Sequence, residues 1–147
     1  MKRSILFVLV CLIFYLTACS SALTYTEVDS WLASKAGSDK AKVDVSGVWE
    51  DINKNQLTFN PWVGVASNDW GKGTFKQKGR DVTGNLDTYM IKGIVSGNTL
   101  IMVLMSGSTP YYMAKLDKID NELSGTYYYP KDKELQGPYP MTLKKVK

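Results

Sequence analysis

Few side chains in this sequence can do covalent or acid–base chemistry. It holds no His and two Cys, which removes the Ser-His-Asp triad, the Cys-His dyad and every His-ligated metal site. Glu50-Asp51 is a carboxylate pair, but neighbours on a strand point to opposite faces and cannot share a substrate. Asp29, Asp39 and Asp44 lack the spacing of a calcium loop, and Gly71-Lys72-Gly73 lacks the flanks of a phosphate loop. Asp117 and Asp120, beside Lys115 and Lys118, read as solvated charge. The expectation is therefore no catalytic residue, no metal, no cofactor and no enzyme. Cys19 is the residue whose setting points to a specific reaction.

That setting begins with Lys2 and Arg3, followed by 12 uninterrupted apolar residues from Ile5 to Leu16 and then Thr17-Ala18-Cys19. A basic start, a short apolar run and a small-residue exit describe a secretory signal peptide over residues 1–18. At about 1.5 Å per residue such a run reaches roughly 18 Å, short of a hydrocarbon core of about 30 Å. An uncleaved anchor is the alternative. Leu16-Thr17-Ala18-Cys19 resembles the lipobox of bacterial lipoproteins. The resemblance implies cleavage before Cys19, a diacylglycerol thioether on its sulfur and usually a third, palmitate-like chain on its amine. Two or more chains hold a protein stably on a bilayer. The expected place is the bacterial cell envelope, at the outer membrane if the host has two.

Removing residues 1–18 leaves 129 of 147 residues, with 16 Lys+Arg against 14 Asp+Glu. That near balance carries no nucleic-acid footprint. Cys11 leaves with the leader and Cys19 is consumed by lipid, so stability has to come from packing without a disulfide.

Residues 19–42 read as a tether and a short helix around Thr26 to Ala33, with Thr26 as N-cap and Gly37-Ser38 as its end. From residue 43 to 147 short β-branched and aromatic runs alternate with turn signals. The pattern predicts strands at 43–52, 72–79, 81–87, 89–96, 98–106, 109–119, 122–129 and 138–146. Eight such strands close into an all-β, antiparallel up-and-down barrel, which removes exposed edges. Period-two alternation turns Phe75, Gln77, Val82, Gly84, Leu86, Tyr89, Ile91, Gly93 and Val95 inward. On the later strands it does the same for Tyr112, Ala114, Leu116, Leu123, Gly125, Tyr127, Tyr129, Met141 and Leu143. Leu100 to Met105 is apolar on both faces, so its outer face meets either the N-terminal helix or a partner.

Gly47-Val48-Trp49 opens the first strand as Gly-x-Trp, ahead of a long first connection and a meander. In this the chain resembles the lipocalin (calycin) group, specifically small lipocalin-like bacterial lipoproteins. The resemblance implies that Trp49 plugs the closed end with a basic residue of the last strand across it, for which Lys145 has the right parity; a merely solvated Lys145 is the alternative. The group's Thr-Asp-Tyr motif, disulfide and C-terminal helix are missing.

The connection from Asn53 to Gly71 is long and carries Phe59, Trp62 and Trp70. Long loops in compact domains are usually functional, so it is expected to act as a lid over the barrel mouth; a packed plug is the alternative. Phe59, Trp62 and Trp70 from this lid, with Phe75, Tyr89, Ile91, Tyr112, Leu116 and Tyr127 from the interior, are the expected contacts of a small hydrophobic or amphiphilic ligand. The competing expectation is an envelope protein-interaction or structural module with a filled barrel, docking through Leu100 to Met105 and the Tyr111 and Tyr128 exterior.

Overall fold

The computed structural model describes residues 23–52, 57–58, 66–67, 70–131 and 134–146. The expected leader (residues 1–18), Cys19, Phe59 and Trp62 lie outside these residues, as does most of the expected lid. Eight strands form one closed antiparallel barrel: β1 (Gly47–Asp51), β2 (Lys72–Lys78), β3 (Asp81–Leu86), β4 (Tyr89–Ser96), β5 (Thr99–Ser106), β6 (Thr109–Ile119), β7 (Glu122–Lys131) and β8 (Glu134–Val146). Each pairs with its chain neighbours, and β8 returns to β1 with Trp49 opposite Lys145. A two-residue ladder of Leu57–Thr58 against Ala66–Ser67 lies within the first connection.

The turns follow from local chemistry. Gly79, Asp87, Gly97, Gly107 and Asp120 each take a positive φ as the first residue of a tight turn. Gly adopts that conformation without steric cost, and Asp tolerates it better than most residues. In the barrel, the first strand and the last hairpin differ from the sequence expectation. The first strand starts at Gly47 rather than 43, because Gly47 at φ 135° interrupts the run. The last hairpin is longer than the predicted 122–129 and 138–146. Its strands reach Lys131 on one side and begin at Glu134 on the other, because a bulge between Gln136 and Tyr139 absorbs Gly137-Pro138.

Inside, Trp49, Phe75, Val82, Leu86, Leu100, Met102, Leu104, Leu116, Leu123, Met141 and Leu143 are fully buried in one cluster. The inward glycines do not leave open space within it. A Cβ on Gly84 would lie 1.9 Å from the Thr74 carbonyl oxygen of the adjacent strand, so glycine there lets the sheet coil tightly. Gly84→Ala should therefore cost about 1–3 kcal/mol through forced strand displacement. Urea unfolding checks this, and an unchanged midpoint would show that the ladder yields freely.

The lower end of the barrel is closed by the incoming chain. Ala41 bridges Gly97 in parallel. The Gln77 carboxamide accepts from Val45 N–H at 2.8 Å and donates to the carbonyls of Val43 at 3.1 Å and Gly79 at 2.9 Å. This pins residues 43–46 beneath the barrel. Trp49 Nε1 donates to Val45 O at 2.8 Å, and the indole packs on Phe75 with centroids 6.2 Å apart. Two ammonium groups sit over its ring, Lys118 at 5.7 Å and Lys145 at 5.8 Å from the centroid. A Cβ on Gly47 would meet Lys145 Cε at 2.7 Å. The Gly-x-Trp spacing thus has a steric reason here: the lysine stem crosses the glycine to reach the ring.

Outside, α1 (Val28–Ala36) follows a 3-10 turn at Tyr25–Glu27. The start is capped two residues earlier than the sequence suggests. Thr24, not Thr26, pairs with Glu27, whose carboxylate accepts from Thr24 N–H at 2.8 Å and from its hydroxyl at 2.6 Å. Val28, Leu32 and Ala36 bury against Ile101, Val103, Met105 and Met113. The outer face of β5 therefore meets the helix. Lys92 on β4 ties α1 down through Asp29 at 2.6 Å. No helix among the described residues is long and apolar enough to cross a membrane.

Candidate functional site

The opposite end of the barrel is lined differently. β1 ends with Glu50 turned out toward Lys72 (3.6 Å) and Asp51 turned in, 1% exposed. Asp51 clamps the start of β2: its backbone N–H donates to Gly71 O at 3.0 Å, and its Oδ2 accepts from Trp70 N–H at 3.0 Å. The clamp sends the Trp70 ring into the barrel, 7% exposed. There it meets Tyr112 edge-on at 4.9 Å between centroids, Tyr127 at 5.0 Å and Tyr89 at 6.2 Å.

Strand alternation supplies the rest. Tyr89 opens β4, Tyr112 lies near the start of β6, and Tyr127 and Tyr129 share the inner face of β7. Tyr89 meets Tyr112 at 5.4 Å, while Tyr139 of β8 lies 5.4 Å from Tyr127 and stacks on Tyr129 at 5.6 Å. Such pairs contribute about 0.5–1.5 kcal/mol each beyond area burial. Within this cage Trp70 Nε1 is buried and has no hydrogen-bond partner among the described residues. An indole N–H is a donor only, and burying one unpaired costs about 1–3 kcal/mol.

Two of the phenols, Tyr112 and Tyr129, are held in the neutral form. Burial, and then the neighbouring Tyr89, Tyr127 and Tyr129, push the Tyr112 hydroxyl far above the phenol range. Burial first, and then Tyr139, push Tyr129 up to about 12. Because the folded values exceed an unfolded phenol near 10, the cage favours folding fully below pH ~10 and loses that contribution as pH rises toward the folded values. An alkaline absorbance titration should show some tyrosines ionising only together with unfolding. Ionisation of every tyrosine in a folded chain near pH ~10 would contradict the cage.

Four of the expected contacts, Trp70, Tyr89, Tyr112 and Tyr127, thus come together. Ile91 is buried one alternation further along β4 from Tyr89. Phe75 and Leu116 lie in the packed core, Phe75 against Trp49, and do not line the mouth. Gly47, Trp49 and Lys145 meet at the closed end. Tyr139 and Lys118 were legible but missed: Tyr139 shares the parity of Met141 and Leu143, and Lys118 that of Leu116. Lys118 is therefore not the solvated charge the sequence suggests. Among the described residues no three carboxylates or cysteines gather as a metal site, and the mouth offers aromatic faces, phenol hydroxyls and the Trp70 Nε1 donor. Comparison with protein-family models, with curated proteins and with solved structures finds no match for this chain.

Proposed function

We propose that this chain is a lipocalin-like, lipid-anchored protein of the bacterial cell envelope that binds a small hydrophobic or amphiphilic ligand at the mouth of its barrel and does not transform it. The observation that carries the reading is the aromatic cage with its unpaired Trp70 Nε1. Binding sites of this kind combine apolar walls with a few placed polar groups, and a ligand oxygen or nitrogen would satisfy the stranded donor. The packed core below confines the ligand to the mouth. Attachment through Cys19 rests on its lipobox-like setting.

The competing protein-docking reading loses part of its surface, since Ile101, Val103 and Met105 are covered by α1. The test is a fluorescence titration with the neutral probe N-phenyl-1-naphthylamine, together with solvent extraction and mass spectrometry of the purified protein. Saturable binding that Tyr112→Ala weakens supports the reading; no probe binding and no extractable small molecule overturn it. For the anchor, radiolabelled palmitate should enter the wild-type chain and not Cys19→Ser. Equal labelling of both would remove Cys19 from the account.

A further inference from the structure

A second site lies on the outer wall, independent of the mouth. Between α1 and the outer faces of β5 to β8 runs a groove of about 330 Å³, at the lower end of the roughly 300–1,000 Å³ of small-molecule sites. Its floor is apolar, made by Ile101, Met113 and the ring of Tyr128, with Trp31 on the helix side. Leu135 borders it and is 55% exposed, a large apolar side chain left uncovered. Among the described residues the charged lining consists of Lys35 and Lys115, and no acidic residue joins them. Neither lysine has an ion-pair partner among the described residues, whereas Lys92, also beside α1, is neutralised by Asp29.

We propose that this groove binds the alkyl chain of an anionic amphiphile, whose headgroup rests on the Lys35 and Lys115 ammonium groups. Charge selects the headgroup: two unpaired cations beside an apolar slot complement one anion with a hydrocarbon tail. The backbone selects the tail over a peptide. An extended peptide brings an N–H and a C=O per residue that need partners, and the strand residues of the groove floor, Ile101, Met113 and Lys115, are already paired with neighbouring strands on both sides. A hydrocarbon chain needs none. Lysine stems also suit the place, since their methylenes lie along apolar surface while the ammonium stays in water.

The test uses the purified full chain and sodium dodecanoate below its micelle concentration, followed by titration calorimetry. One saturable site is expected, weakened at least tenfold in Lys35→Glu/Lys115→Glu and progressively by salt. Dodecan-1-ol, with the same tail and no charge, should bind at least several-fold more weakly. Leu135→Glu should weaken dodecanoate by placing a like charge at the groove, and circular dichroism confirms that these surface variants fold. Trp70→Phe, which alters only the mouth, should leave dodecanoate affinity unchanged. Absence of saturable binding, equal affinity in the lysine variant, or loss in Trp70→Phe overturns the proposal, the last by placing the amphiphile in the barrel. Displacement of dodecanoate by an acidic amphipathic peptide at lower concentration would also overturn it, by giving the groove to a protein partner.

Discussion

Replacing Trp49 by Ala should remove about 3–5 kcal/mol of folding free energy, the usual cost of deleting a large buried aromatic side chain. Three separate losses act at this position. The indole is fully buried beside Phe75, so its removal leaves a void at the base of the barrel. Val45 O loses the Nε1 donor that holds the incoming chain. Lys118 and Lys145 lose the ring face that both cations share, an interaction of about 0.5–2 kcal/mol each depending on desolvation. Domains of this size are stable by only about 5–15 kcal/mol, so the variant should unfold at far lower urea and at visibly lower temperature. Trp49→Phe separates the parts: it keeps much of the volume, loses the donor, and should cost about 1–2 kcal/mol less than the alanine. A loss below ~1 kcal/mol for Trp49→Ala would mean that the base of the barrel is not closed by this residue.

Much of the architecture was legible because a half-buried strand writes itself as alternation. Lys76 and Lys78 force Phe75 and Gln77 inward, and Lys92 forces Tyr89 and Ile91, with no knowledge of the partner strands. The same argument fails where alternation vanishes. Leu100 to Met105 is apolar on both faces, and a helix and a partner protein satisfy that pattern equally well. Only the contact of Val28 and Leu32 with Ile101 and Val103 decides between them. Composition also misleads about space. Gly84 and Gly125 look like room for a ligand, yet a Cβ on either would strike a neighbouring carbonyl oxygen, at 1.9 and 2.1 Å. The mouth was half legible. Tyr89, Tyr112 and Tyr127 follow from parity, whereas Trp70 ends a connection with no periodicity. Its inward ring depends on the Asp51 clamp, and the sequence could place Asp51 on a face but could not name its partner.

Trp70 separates stability from binding, because its two substitutions should act in opposite senses on the empty protein. Trp70→Ala removes a ring in edge-on contact with Tyr112 and Tyr127 and should cost about 3–5 kcal/mol. It should also abolish measurable N-phenyl-1-naphthylamine binding, since the cage loses the ring at its centre. Trp70→Phe keeps an aromatic ring and deletes the unpaired N–H. A buried donor without a partner opposes folding by about 1–3 kcal/mol, so this variant should keep its stability or gain up to about 1 kcal/mol, the smaller ring giving back part of the gain. A ligand that accepts from Nε1 should nevertheless lose about tenfold in affinity, the worth of one hydrogen bond near 1.4 kcal/mol. Paired urea and ligand titrations on the same preparations read both quantities. A residue kept only for packing would make stability and affinity fall together. Stability that holds while affinity falls is the signature of a donor retained for a ligand, at some cost to the fold. If Trp70→Phe instead destabilises the empty protein by more than ~1 kcal/mol, the N–H is already spent on a tyrosine ring face, and the mouth has no donor left to offer.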